Sequence, residues 1–269
     1  MQKIAIQGYE GCFHHIAAIE HFGRDIDILP CDTFRAVATA VKRGEADMGL
    51  MAIENSIAGS IIPNYSILQD ENLQVAGEVY LPIKQNLMVL PDVELEDIRE
   101  VESHSMALLQ CIDYLDEHPW KLIESEDTAL SAKRVAENGL RHTAAIASEL
   151  AAEMFGLKII APEINTIKSN YTRFMVLKRY DHNIDNDANK ASLYFKTDHK
   201  EGSLLKALSC LDGINLSKLQ SYPIPSEPWH YLFHIDLEFA CLDDYILNLN
   251  RLQEVTREIH VYGVYKSGK

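Results

Sequence analysis

Asn170-Tyr171-Thr172-Arg173-Phe174 sets a hydroxyl beside a guanidinium, where the polar run Asn165 to Asn170 gives way to the apolar Phe174-Met175-Val176-Leu177. A join from irregular backbone into a strand is where a scaffold presents chemistry. Thr172 offers a proton donor and Arg173 a clamp for a carboxylate, both held by one rigid element. Taken alone, the five residues also fit a loop threonine followed by a solvated arginine. The decision falls to the segments that accompany them.

Glu54-Asn55-Ser56-Ile57-Ala58-Gly59-Ser60 follows the buried strand Met48–Ile53 without a break. Ser56 and Ser60 can cap the next element, and their hydroxyls and backbone N–H groups can receive an anion. Glu54 and Asn55 could orient a donor or bind a substrate hydroxyl; a capping cluster without a ligand is the structural alternative. Ser103-His104-Ser105 repeats the pattern, with Ser103 as a helix N-cap and Gln110 two turns inside, off the Met106 and Leu109 face. A glutamine among Leu108, Leu109 and Cys111 is either exposed or satisfied by something in a cleft. His104 reads as a general acid or as a capping group. Gly8-Tyr9-Glu10-Gly11-Cys12-Phe13-His14-His15 is a glycine-bracketed turn suited to an anion, without the spacing or the lysine of a nucleotide loop. Adjacent His14 and His15 point apart on a helix and make a poor metal pair. Asp127-Thr128-Ala129 reads as a structural helix start.

These segments sit in an acidic chain of 269 residues with net charge −15, 47% hydrophobic and 24% charged. That length fits two domains, and that charge argues against nucleic acid or an anionic membrane as partner. An anionic substrate must be drawn in by a local cationic spot. No apolar run approaches the roughly 20 residues that span a bilayer. Lys3-Ile4-Ala5-Ile6 starts the chain as a strand, so no signal peptide is expected. Five scattered cysteines without a C-x-x-C pair fit neither a disulfide framework nor a zinc site, and suit a reducing cytoplasm.

Strands are expected at 4–7, 27–29, 48–53, 85–90, 98–101, 143–146 and 174–178, and helices at 13–22, 33–43, 105–117, 129–137 and 149–155. This alternation predicts βαβ units, a mainly parallel sheet and an α/β fold. The chain leaves its first set of units near Gly77–Ile83 and returns near Ala161–Asn165, so two lobes with a cleft between them are expected. Residues 181–190, polar and nearly free of aliphatics, read as a linker. Beyond it the order is β-α-β-β-α-β, a ferredoxin-like split βαβ unit over 191–269.

Together these motifs resemble prephenate dehydratase along essentially the whole chain. The matches are Asn55-Ser56-x-Ala58-Gly59-Ser60, Ser103-His104 with Gln110-Cys111, Ala145-Ile146-Ala147-Ser148 with Phe155-Gly156-Leu157, and Asn170-x-Thr172-Arg173-Phe174. The resemblance implies a two-lobed, type-II periplasmic-binding-protein-like catalytic domain over 1–180. Lobe 1 would hold 1–77 and 164–180, and lobe 2 would hold 78–163. An ACT regulatory domain would follow. It implies a lyase that needs no cofactor or metal, with Thr172, Glu54, Asn55, Ser103 and Gln110 catalytic and Arg173, Ser56 and Phe174 binding substrate. The first glycine loop departs from the family's Gly-Pro-x-Gly-Thr-Phe-Ser at Tyr9, Cys12 and His14.

In the implied reaction prephenate loses CO2 and its ring hydroxyl and becomes phenylpyruvate. Thr172 would hydrogen-bond the departing oxygen, aided by Glu54 or a water. Arg173 would hold the pyruvyl carboxylate, whose charge persists; pairing with the carboxylate that leaves would raise the barrier. In the C-terminal module Gly202-Ser203-Leu204 and Asn215 resemble effector-binding motifs for L-phenylalanine, although Gln220-Ser221-Tyr222-Pro223 lacks the usual Glu and Arg. A homodimer or homotetramer is expected. The competing expectations are arogenate dehydratase and a non-catalytic aromatic amino acid sensor.

Overall fold

The structure, a computed structural model, describes residues 1–181, 183–224 and 227–269; His182 of the expected linker lies outside the described residues. In chain order its elements are β1 (Gln2–Gln7), α1 (Phe13–Phe22), β2 (Ile26–Cys31), α2 (Phe34–Arg43), β3 (Met48–Asn55), β4 (Gly59–Ser60), α3 (Ile62–Glu71) and β5 (Leu73–Pro82). Then come β6 (Asn86–Val89), β7 (Glu100–His104), α4 (Ser105–Gln110), α5 (Ile112–Leu115), β8 (Lys121–Ser125), α6 (Thr128–Glu137), β9 (Thr143–Ala147), α7 (Glu149–Phe155), β10 (Lys158–Ala161) and β11 (Tyr171–Arg179). The last stretch is β12 (Lys190–Lys196), α8 (Ser203–Leu208), β13 (Asn215–Pro223), β14 (Tyr231–Glu238), α9 (Leu242–Val255) and β15 (Glu258–Tyr265).

Two sheets carry the first 180 residues, in the orders β2-β1-β3-β11-β5, with β4 on β3, and β10-β6-β9-β7-β8. The expectation of a mainly parallel sheet is corrected to mixed sheets. β1 is parallel to β2 and β3, and β7 to β8 and β9, whereas β6 runs antiparallel to both β9 and β10. The central strands are buried on both faces, which is why Met48–Ile53 and Phe174–Leu177 read as continuous apolar runs. Helix starts follow side-chain caps: Thr33, Asp127 and Ser148 accept the N–H groups of Ala36, Leu130 and Ala151. The expected helix 105–117 breaks at Cys111, between α4 and α5. No helix among the described residues is long and apolar enough to cross a membrane.

By contacts the chain forms two compact units, Met1–Asn64 with Val79–Phe174, and Tyr65–Glu78 with Met175–Lys269. The second contains an antiparallel sheet of order β13-β14-β12-β15, whose apolar core includes Leu193, Phe195, Ile235, Leu237, Tyr245 and Leu252. Gly263 on β15 meets the Val75 backbone so closely that a Cβ there would lie 1.9 Å from the Val75 carbonyl oxygen. Nearby, Lys190 and Glu78 form a buried ion pair, with Nζ 2.9 and 3.1 Å from the two carboxylate oxygens. Ser267 Oγ and the Gly268 N–H also donate to Glu78. Breaking a buried pair from one side strands the other charge. Lys190→Met is therefore expected to lower unfolding free energy by about 3 kcal/mol in urea denaturation. Lys190→Met with Glu78→Leu should recover most of that loss; a single-variant loss below about 1 kcal/mol would contradict the assignment.

Candidate active site

The site lies in the first unit, in a cavity of about 420 Å³. Its lining includes Asn55, Gln110, Thr172 and Phe174, four of the residues singled out by sequence. Thr172 and Phe174 are there because successive side chains on a strand point to opposite faces. The same alternation turns Arg173, expected to clamp a substrate carboxylate, away from the lining. The Arg173 side chain is 3% exposed, is not part of the cavity lining, and places Nη1 3.8 Å from Glu54 Oε2. Its guanidinium carbon stands 5.9 Å from the centre of the Tyr80 ring. Glu54, likewise on the alternate face of β3 from Asn55, is not a lining residue either.

Asn55 is the hub of the polar wall. The two N–H groups of its Nδ2 serve three acceptors, Asn170 Oδ1 at 2.7 Å, Thr172 Oγ1 at 3.0 Å and the Tyr171 carbonyl at 3.2 Å, so that one N–H is shared. Its Oδ1 accepts the N–H groups of Ile57 and Ala58 and so closes the turn after β3. Asn170 in turn donates from Nδ2 to Gln110 Oε1 at 3.0 Å. One chain of amides thus runs from Gln110 through Asn170 and Asn55 to the Thr172 hydroxyl. Because the Asn55 amide fills a lone pair of Thr172, the hydroxyl proton stays free to be given to something in the cavity, and the bond received polarises it.

Ser56 lies beside this chain as a stitch. Its backbone N–H donates to the Tyr171 carbonyl, and its Oγ accepts the Tyr171 N–H and donates to the Ser169 carbonyl. Its hydroxyl thus fixes the start of β11 and does not line the cavity. Asn165 does similar work one step earlier, accepting the Gln85 N–H and donating to the Ile83 carbonyl. The asparagines of the polar run hold the two chain crossings together, a role that its composition did not disclose.

Across the cavity, Ser103 is fully buried and donates to the Ile146 carbonyl at 2.7 Å. Expected to be catalytic, it is outside the lining, and its hydroxyl bonds within the β7–β9 part of the sheet. The next residue, His104, does line the cavity, and it caps α4 by accepting the Met106 N–H at Nδ1. In the neutral ring the proton then sits on Nε2, which makes that nitrogen a donor. Cys111, just past Gln110, is a core thiol pushed up to about 12 by burial.

Among the lining residues not assigned to the site from sequence are His14, Phe34 and Asp127. Asp127 caps α6 through Oδ1, and burial raises its carboxyl above the usual range against the N–H groups of Leu130 and Ala129. Gly8, at φ 96°, leaves it room; a Cβ there would meet Asp127 Oδ2 at 2.7 Å. Burial, and then the Asp127 charge, push the Cys12 thiol up to about 12. For His14 the available signal was topological: the glycine loop follows β1 just as residues 56–60 follow β3, at the carboxyl end of a neighbouring strand. No cluster of three metal-ligating side chains occurs among the described residues. Gly202, Ser203, Leu204 and Asn215 belong to the second unit. Gly202 precedes α8 in a left-handed conformation, and Asn215 Nδ2 donates to Glu238 at 2.9 Å.

Comparison with known proteins converges on one family. Residues 4–182 match the family model described as prephenate dehydratase. An arogenate dehydratase/prephenate dehydratase of Arabidopsis thaliana is 35% identical over 278 residues, covering 98% of this chain and 72% of that protein. Among solved structures, prephenate dehydratase from Arthrobacter aurescens in complex with L-Phe is 27% identical with a TM-score of 0.89, covering 99% of this chain and 90% of that one. GqqA, described as a novel type of quorum quenching acylase, is 28% identical with a TM-score of 0.89, covering 99% and 98%.

The buried position of Arg173 and the lining position of Thr172 separate two kinds of variant. Arg173→Ala removes a packed side chain and a partner of Glu54, and is expected to cost about 2 kcal/mol or more in urea unfolding. Thr172→Ala should stay within about 1 kcal/mol of the parent. Equal stabilities for the two variants would place Arg173 at the surface of a site instead.

Proposed function

The chain belongs to the prephenate dehydratase family, and we propose that the Thr172 wall of its cavity carries out the decarboxylative dehydration of prephenate to phenylpyruvate. The ring C–CO2 bond breaks, its electron pair moves through the diene, and the opposite C–O bond opens as the ring becomes aromatic. The hydroxyl leaves as water after taking up one proton. The observation that carries this reading is the Asn55–Thr172 hydrogen bond, which leaves the Thr172 proton for the departing oxygen. A positioned donor of this kind contributes about 10²–10⁴-fold to rate. Gln110, held through Oε1 by Asn170, turns its amide N–H group toward substrate oxygens, and His104 Nε2 supplies another neutral donor. Phe174 gives the ring an apolar surface to rest on, which favours the planar product.

Arogenate is the second substrate to consider, and one observation favours it. Glu126 and Asp127 stand in the lining, which contains no Lys or Arg, and arogenate bears an ammonium group where prephenate bears a keto group. The relative in Arabidopsis carries both activities in its name. An acyl-transfer reading, prompted by the acylase likeness, lacks support at Thr172, whose hydroxyl meets the Asn55 amide, a donor and not a base.

For residues 191–269 the reading is a ferredoxin-like ACT domain joined through the linker 181–190. The order β-α-β-β-α-β and the sheet order β13-β14-β12-β15 support it. L-Phenylalanine is the proposed effector, near Gly202, Ser203, Leu204 and Asn215, in line with the ligand named for the Arthrobacter protein. Assembly as a homodimer or homotetramer is supported by the exposed Leu219, Ile246 and Leu247 of the same unit. The catalytic domain is then 1–180, a two-lobed core like a type-II periplasmic binding protein, with its two mixed sheets as the lobes.

Phenylpyruvate formation from prephenate, with arogenate run alongside, tests the reading. Thr172→Val is expected to lower kcat by about 10³-fold with KM changed by less than about threefold, and Thr172→Ser to stay within about tenfold of the parent. A Thr172→Val enzyme with parental kcat would remove Thr172 from the chemistry.

A further inference from the structure

With Arg173 turned into the protein, the cavity lining holds no lysine or arginine, yet the proposed substrate brings carboxylates. His14 is in that lining, on the first turn of α1. Its ring packs edge-on to Phe174 at 4.9 Å and is tilted against Phe34 at 5.5 Å. Among the described residues the imidazole makes no hydrogen bond, and Nε2 is buried without a partner. A buried polar atom left unpaired costs about 1–3 kcal/mol. A phenyl ring would make the same aromatic contacts without that cost, so packing alone does not account for a histidine here.

We propose that His14 is a substrate-binding residue whose imidazole hydrogen-bonds the carboxylate that persists into the product. This rests on the reading of the cavity as the dehydratase site. A bond to the carboxylate lost as CO2 would stabilise charge that must disappear, whereas the pyruvyl carboxylate keeps its charge throughout. Placement agrees. Phe174, against which His14 packs, is the same-face neighbour of Thr172 on β11, roughly 7 Å along the strand. The hydroxyl of the substrate and its pyruvyl arm are likewise at opposite ends of the ring. Burial pushes His14 down to about 3, so it meets the anion as a neutral group. Such a group orients a carboxylate without demanding a fixed ion pair.

The test compares His14→Phe with His14→Gln in the full chain, using prephenate kinetics and thermal unfolding. His14→Phe is expected to hold or raise Tm while raising KM about tenfold, and His14→Gln, which keeps an N–H donor, to return KM to within about threefold. A His14→Phe enzyme with parental KM and kcat would overturn the proposal and leave His14 as packing. Should either variant fail to fold, the imidazole ¹⁵N resonances of His14 in the unmodified chain are followed as phenylpyruvate is added. A shift on binding supports the contact, and resonances unmoved at saturation reject it. Turnover of prephenate by the unmodified chain is scored separately. Its absence would sink the dehydratase reading, while the phenylpyruvate titration would still decide whether His14 meets a carboxylate.

Discussion

The side-chain amide of Asn55 is the constraint on which the site depends. From the end of β3 it closes the turn at Ile57 and Ala58 with its oxygen and ties down Asn170, Tyr171 and Thr172 with its nitrogen. The two segments are separated by 115 to 117 positions in the chain, so this contact makes the start of β11 a fixed surface. Asn55 is itself 8% exposed and Asn170 1%, so these bonds form where water competes little. A polar network of this kind stabilises when complete and is costly when one member is lost. Removing Asn55 would disturb the turn, the strand start and the Thr172 hydroxyl together.

The second organising fact is the pleat of β11. Thr172 and Arg173 are neighbours in sequence, and a strand sends neighbours to opposite faces. Thr172 therefore meets the cavity, and Arg173 braces the scaffold against Glu54 and beneath Tyr80. With that arginine inside, the cavity wall is built from neutral donors, aromatic surface and two carboxylates. Such a wall suits a reaction in which one negative charge must leave, because a strong cation near it would hold the ground state.

Much of this was legible in the residues. The helices at 13–22 and 149–155 have the expected bounds. The strands β5, β8 and β10 were not expected. β5 carries Gly77 and Glu78 in its middle, β8 is a charged edge, and β10 is four residues long, so none shows a clean period of two. At the site, Asn55, Gln110, Thr172 and Phe174 line the cavity. Ser103 and Arg173 do not, since a hydroxyl's bond to Ile146 and the inward face of a strand are decided by tertiary neighbours. His14 was hidden for the converse reason. Its adjacency to His15 carried no pattern, and only the folded cavity places it in the lining.

The most direct measurement of the account is a double-mutant cycle on Asn55 and Thr172, read as kcat for phenylpyruvate formation. Asn55→Asp keeps the oxygen that closes the turn and replaces the N–H group that serves Thr172. If that amide aims the Thr172 proton, Asn55→Asp and Thr172→Val each lower kcat by about 10²-fold or more, and the double variant is no slower than the slower single one. Parental kcat in Asn55→Asp, or losses that add in full in the double variant, would show that the two side chains act independently and would contradict the account.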